Sequence, residues 1–415
     1  MFHPEVCAEK LRKLEDAFEP GFTVQSHSID EVDVMVHRLE EAVDGKGNKR
    51  RELDDEEACF VVNERLLVQS SFEYWATRYA MINLAGARLG RMFPFLDTQS
   101  FILKGLADAE LQVRDGGLHD GILCNLLKGA RQVGGSTFAE AVAAYRTTTE
   151  EHLFGLIAAD DPNTSAFMFD IFERIVENLP WWLAPKVVEH VKNGEMKLDT
   201  ECHIWVGSGK STRGTEGKRG QLGRGKTLGF VHLSELSTWE AVQIGQIRGS
   251  LLPTLHRLPT TFAFFESTAK GRHNWWHSHW KASLEDKTRF KVNIFIPWYV
   301  EPRYSIPPPV NWSPSTSSLA HAKHCEETSP SYLGKEYSLT KDQLYWYEVT
   351  RESYEAEDDL KTFIEEFGSV TDDECFQHSG RSVFKASVQQ RIRDQARPLL
   401  GQLEIVPMRE VTRSG

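Results

Sequence analysis

The sequence predicts an α/β fold, a mainly parallel sheet flanked by helices, with an N-terminal helical region and a small C-terminal subdomain. Three observations predict it. Short apolar runs at 121–127, 152–159, 202–206, 228–233, 261–265 and 292–298 alternate with stretches of helical spacing, the pattern of βαβ units. The first run leads into Lys128-Gly129-Ala130-Arg131-Gln132-Val133-Gly134-Gly135-Ser136-Thr137, and a helix starts behind it. A strand, a glycine-bearing loop, a hydroxyl and a helix together cup phosphate, because loop amides and the positive end of the helix dipole point at the anion. The run at 228–233 ends in Ser234-Glu235, which delivers an acid to the strand's carboxyl end, where ligands of such sheets bind.

Composition narrows the class. The chain has 415 residues, 40% of them hydrophobic and 26% charged, as in an ordinary globular protein. No apolar run approaches the ~20 residues that span a bilayer. The start, Met1-Phe2-His3-Pro4-Glu5, lacks a signal-peptide pattern. The six cysteines (Cys7, Cys59, Cys124, Cys202, Cys325 and Cys375) have no paired spacing, so a reducing cytoplasm is expected. With 48 basic against 60 acidic residues the net charge is −12. Any contact with nucleic acid must therefore come from a local basic surface. Residues 210–226, with Arg213, Lys218, Arg219 and Arg224, are a candidate, open to two readings: a solvated loop or a phosphate-contacting one.

Along the chain, residues 1–57 read as an acidic, helical accessory region, with a capping box at Ser28 and Glu31. Residues 59–89 read as a second helical region rich in aromatics, and 100–106 as a helix. Gln99 carries a carboxamide suited to the edge of adenine. In the phosphate-loop candidate the residue before the hydroxyl is Gly135, where a lysine is usual. Lys128 and Arg131 are the available cations. Helix is expected at 138–145, 166–178, 339–354 and 388–395, and a Pro- and Ser-rich surface excursion at 305–335. A carboxylate at Glu235 can orient and deprotonate water. At 266–271, hydroxyls and a turn at a strand end can sense a terminal phosphate. The histidines of 273–280 lack cysteine or carboxylate partners at ligand spacing, and an aromatic helix start packed on the sheet is the preferred reading.

Taken in order, Gln99, the loop 128–136, Gly223-Arg224-Gly225-Lys226-Thr227, His232-Leu233-Ser234-Glu235-Leu236-Ser237-Thr238-Trp239, Glu266-Ser267-Thr268-Ala269-Lys270-Gly271, Ile296-Pro297-Trp298 and Glu365-Glu366-Phe367 before Phe376 and Ser379-Gly380 form a series. Over roughly residues 60–385 it resembles the ATPase part of the large terminase subunit of tailed bacteriophages, the motor that pumps double-stranded DNA into a capsid. The resemblance implies a P-loop NTPase fold of the ASCE type, with an ATPase core at 58–300, a lid or linker subdomain at 301–385 and a tail at 386–415. It implies ATP and Mg2+ as cofactors. Gln99 would contact adenine, and Lys128 to Thr137 (Gly129, Ala130, Gln132, Val133 and Gly134 included) would hold the triphosphate. Lys128 would be the displaced lysine, and Arg131 would compensate γ-phosphate charge. Ser136 would ligate magnesium, Glu235 would activate water and reach the metal through water, and Ser267, Thr268 and Ala269 would couple hydrolysis to movement.

The implied partners are viral double-stranded DNA, the portal protein, the small terminase subunit and further copies in a ring on the portal, in the host cytoplasm and with no membrane. Gly135 and Ser234 depart from the family's common lysine and aspartate. The chain stops about where the family's nuclease domain begins, so nuclease activity is not expected of it. Two rival readings stay open: a helicase-like, nucleic-acid-stimulated ATPase, and a non-hydrolysing assembly or binding module.

Overall fold

Two amphipathic helices open the chain, α1 (Pro4–Phe18) and α2 (Ile29–Glu41). Ser28 caps α2 through Glu31, as its sequence predicts, and Val32, Met35 and Leu39 turn inward. The structure is a computed structural model that describes residues 1–376 except 20, 45–47, 85–87, 117–120, 193, 209–226, 256–257, 286–290, 329–337 and 369. The basic stretch 210–226 with Arg213, Lys218, Arg219 and Arg224, the Ser379-Gly380 pair and the tail therefore lie outside the described residues.

Helices α3 (Asp55–Ser70) and α4 (Phe72–Tyr79) follow, then a correction to the predicted helix. Met81–Leu84 (β1) and Arg88–Arg91 (β2) form an antiparallel hairpin. The aromatic spacing that reads as helix ends at Tyr79, and Met81 to Leu84 then pair in antiparallel register with Arg91 to Arg88. Next come α5 (Asp97–Asp115), β3 (Ile122–Lys128), α6 (Gly135–Thr149), β4 (Phe154–Ala159) and α7 (Pro162–Glu177). Strands β5 (Val187–Val191) and β6 (Glu195–Leu198) are a second departure: β5 is exposed along its length, and β6 alternates Glu195 and Lys197 with the buried Met196 and Leu198 over only four residues. They precede β7 (His203–Ser208), β8 (Phe230–Ser234), α8 (Ala241–Gln246), β9 (Phe262–Ser267), α9 (Trp275–Glu285) and β10 (Lys291–Ile296). The segment read as a surface excursion contains helix α10 (Thr316–Thr328). Helices α11 (Lys341–Ala356), α12 (Leu360–Phe363) and α13 (Asp372–Phe376) end the described chain. Between the last two lies a π-helical turn, Ile364–Gly368.

The main sheet has eight strands in the order β10-β3-β9-β8-β4-β7-β6-β5. Pairing is parallel from β10 to β7 and antiparallel for β6 and β5, so the sheet is mostly parallel but mixed. Helices flank it and bury both faces, as parallel strands require. One core joins Leu126, Phe230, Phe262 and Phe264 to Phe138 and Val142 of α6 and to Trp75. The other gathers Leu127, Leu233 and Phe265 with Trp276 and Trp280 of α9. The histidine-bearing stretch of α9 is thus an aromatic face on the sheet, and His279 meets Asn125 Oδ1 at 3.0 Å. Residues 1–378 form one compact unit, and Val32 and Leu39 of α2 share the core of the sheet. Among the described residues no helix is long and apolar enough to cross a membrane.

Candidate active site

Strands β3, β9 and β8 are neighbours, so their carboxyl ends open side by side at one rim. The register sets Leu126 and Ser234 on either side of Glu266. Side chains alternate along a strand, so Lys128, His232, Ser234 and Glu266 share the face that carries Leu126, Phe230 and Phe264 and packs on α6.

The loop after β3 turns sharply into α6. Gly134 has φ +74°, a left-handed conformation that costs glycine little. Gly135 is pressed for space: a Cβ there would lie 2.5 Å from Glu266 Oε2. Ser136 follows in the first turn of α6, and its hydroxyl donates to Glu266 Oε1 at 2.5 Å. The same oxygen accepts from Ser234 Oγ at 3.0 Å, and His232 Nε2 lies 3.3 Å away.

Glu266 is fully buried. Burial opposes its charge, but Lys128, His232 and the Ser136 hydroxyl together hold its carboxyl well below the usual range. His232 is also buried, with Nδ1 2.6 Å from Glu140 Oε1 of α6. Burial works against the imidazolium, yet Glu140 and Glu266 on either side push its pKa up to about 9.

Lys128 Nζ donates to Glu235 Oε1 at 2.8 Å and stands 3.7 Å from Glu266 Oε2. Its burial disfavours the charge, and the two carboxylates more than offset that, raising its pKa. Glu235 adopts the left-handed region (φ 55°), a conformation that non-glycine residues hold only when their surroundings enforce it. Its side chain is one-third exposed, at 33%. Directly after it, a 3-10 turn (Leu236–Thr238) is tied to β9. Ser237 N donates to Ser267 Oγ at 3.0 Å, and Ser267 Oγ donates to Ser237 Oγ at 2.8 Å. Thr268 and Ala269 are buried behind it.

A cavity of about 600 Å³ opens over the loop. Lys128, Gln132, Val133, Gly134, Gly135, Ser136, Thr137, Glu266 and Arg303 line one part, and Ile82, Leu84, Met92, Leu96, Phe167 and Ile171 give it an apolar wall. Gln99 also lines it, while its Nε2 donates to Gly134 O at 3.3 Å. The structure thus brings Lys128, Ser136, Glu235 and Gln99 around one loop. Gly129, Ala130 and Glu235 stand outside the cavity lining, and Glu235 meets the loop through Lys128.

Arg131, expected to face phosphate, is paired with Glu366 in this structure. Its Nε donates to Glu366 Oε2 at 2.6 Å, and Lys270 Nζ is 3.5 Å from the same carboxylate. Glu366 is buried in the π-helical turn before α13, and it draws the guanidinium away from the cavity. Arg303 Nη2 donates to Gln132 O, and Tyr304 Oη donates to Arg131 O, each at 2.5 Å. Sequence reasoning gave no role to Glu266, His232, Glu140 or Arg303. The alternation Phe262, Phe264, Glu266 is the signal that places the glutamate on the loop's side of the sheet.

Magnesium bound with phosphates takes hydroxyl and carboxylate oxygens and keeps several waters. Ser136, Ser234 and Glu266 are such donors, and among the described residues Glu266 Oε2 has no hydrogen-bond partner. The donor set fits a hard cation.

No protein-family model matches the sequence, and no curated protein matches it. Among solved structures, the chain is similar to the large terminase of bacteriophage HK97, at 14% identity and TM-score 0.44 over 72% of this chain and 54% of that one. It is also similar to the large terminase of a thermophilic bacteriophage in complex with ATP-gamma-S, at 13% identity and TM-score 0.33, covering 53% and 48% of the two chains. A third is the large terminase ATPase domain of Thermus phage P74-26, at 18% identity and TM-score 0.34, covering 47% and 82%. All three are large terminases of phages, and the chain spans about half the length of the first two.

Proposed function

We propose that the chain is the ATPase of a phage large terminase, coupling ATP hydrolysis to translocation of double-stranded DNA into a procapsid. The observation that carries this reading is the convergence of Lys128, Ser136 and Glu235 on one glycine loop, with Lys128 Nζ 2.8 Å from Glu235 Oε1. The amides of the loop and the start of α6 receive the phosphates. Lys128 exchanges Glu235 for phosphate oxygen, which leaves the glutamate free to take a proton from the attacking water. Gln99 meets the adenine edge, and Arg131 reaches the γ-phosphate after leaving Glu366. Ser136 holds magnesium, which supplies charge neutralisation to the phosphates. Ser267, Thr268 and Ala269 relay the loss of phosphate through the bonds that join Ser267 to Ser237.

In this reading the ATPase core spans 58–300, and 301–385 serve as its lid or linker subdomain. The partners are double-stranded DNA, the portal, the small subunit and further copies of the chain in a ring, in the host cytoplasm. The test is phosphate release with and without double-stranded DNA. Glu235→Gln is expected to abolish turnover and keep ATPγS binding, and unchanged hydrolysis would overturn the assignment. Strand separation in the same preparation would favour a helicase-like enzyme. Binding without any phosphate release would favour a non-hydrolysing module.

A further inference from the structure

Glu266 stands where three strands meet the loop, and the proposed chemistry leaves it unused. Its Oε1 accepts from Ser136 at 2.5 Å and from Ser234 at 3.0 Å. Its Oε2 is buried, lacks a hydrogen-bond partner among the described residues, and faces Gly135. Lys128 Nζ at 3.7 Å offsets part of its charge, and the hydrogen bond left unmade still costs about 1–3 kcal/mol. A cation between Glu266 and the Ser136 hydroxyl would remove that cost. Within the neighbouring strand β8 the matching position offers only the hydroxyl of Ser234, which is register partner to Glu266, and the carboxylate just beyond it, Glu235, is taken up by Lys128 at 2.8 Å.

The same glutamate accounts for the glycine. A side chain at 135 would begin 2.5 Å from Glu266 Oε2 and 2.8 Å from Leu126 Cδ2, so it would need the glutamate to give way, and the loop's cation comes from Lys128 instead. Gly135, Ser234, Lys128 and Glu266 therefore form one interlocking set.

We infer that Glu266 of β9, and no residue of β8, is the protein carboxylate that holds the magnesium of a bound nucleotide, with Ser136 as its hydroxyl partner. The inference rests on the nucleotide-hydrolase reading above. The Ser136–Glu266 hydrogen bond is the cation's place-holder: on binding, both oxygens turn from each other to the metal.

The experiment is a calorimetric titration of the full chain with ATPγS, once with Mg2+ and once with EDTA, alongside Mn2+ paramagnetic resonance of the same complex. The wild type is expected to bind more tightly with Mg2+ and to show a bound Mn2+ signal. Glu266→Gln is expected to lose about tenfold of the Mg2+-dependent gain, with no weakening in EDTA. The exchange Ser234→Asp with Glu266→Ser, which moves the carboxylate one strand sideways, is expected to restore most of the gain and the Mn2+ signal. A folded Glu266→Gln that keeps the full gain overturns the inference. If that variant does not fold, a folded exchange variant without the gain overturns it instead. A wild type that binds no ATPγS under either condition overturns the hydrolase reading itself, a different result from Mg2+-dependent binding that ignores Glu266.

Discussion

Lys128 Nζ lies 2.8 Å from Glu235 Oε1, joining the last residue of β3 to the first residue beyond β8. The lysine also faces the buried Glu266 at 3.7 Å, so one ammonium balances two carboxylates. Charges in such a site are stable only as a set, because removing one partner leaves another without compensation.

Lys128→Met is therefore expected to lose stability by about 3–5 kcal/mol, a deficit set by the glutamate left alone at the rim. Denaturant unfolding of the folded variant measures it. ATPγS binding should fall below detection in the same protein, and retention of both properties would show that the pair is incidental.

Gly135→Ala is expected to cost about 1–3 kcal/mol, because the new methyl meets Glu266 Oε2 at 2.5 Å and Leu126 Cδ2 at 2.8 Å. Glu266→Ser in the same chain should recover part of that loss. A double-mutant cycle of thermal or urea stabilities gives the coupling energy, and strict additivity would mean that the two positions do not compete for the same space.

Glu366 and a bound phosphate compete for Arg131, whose side chain is half exposed, at 55%. Glu366→Ala should strengthen ATPγS binding about fivefold, the equivalent of about 1 kcal/mol. Titration of both proteins at one ionic strength decides it. Weaker binding in the variant would mean that Glu366 holds the loop in its receptive form.

His321 on α10 stacks on Tyr347 with ring centroids 3.6 Å apart, and its Nε2 accepts from Trp298 Nε1 at 3.2 Å. Burial, with help from His324 and Arg351, pulls its pKa from 6.5 down to about 3. A histidine held neutral contributes fully above its unfolded pKa. That contribution is lost as the pH falls from 6.5 towards 3, because the unfolded chain binds the proton first. Between pH 6 and 4 the wild type should lose about 2 kcal/mol more than His321→Phe, read from urea midpoints at each pH. Parallel pH profiles would refute it.

The parallel core was legible in the sequence because strands buried on both faces read as largely apolar runs, interrupted at 122–128 only by Asn125 before the terminal Lys128 and at 230–234 only by His232 before the terminal Ser234. The β1–β2 hairpin was not, since four-residue strands carry too few alternations to compete with the helical aromatics before them. β5 hid for another reason: it is exposed along its whole length, so no burial constrains its residues. In the site, Lys128, Ser136, Glu235 and Gln99 were legible as residue types in a recognisable order. Glu266 was visible in the sequence, but its meaning depends on which strands are adjacent, and β9 enters between β3 and β8 only in three dimensions. The pairing of Arg131 with Glu366 was not legible, because that glutamate lies 235 residues further along the chain.

The close fit of Gly135 to Glu266 also shapes how this site tolerates change. A library that varies one position at a time would score Gly135, Ser234 and Glu266 as nearly intolerant, since each is the boundary condition of the others. Paired exchanges would recover variants that every single scan discards. A path towards a lysine before the helix hydroxyl is therefore easiest when position 266 shrinks first, because that step clears the room a methyl group at 135 would need.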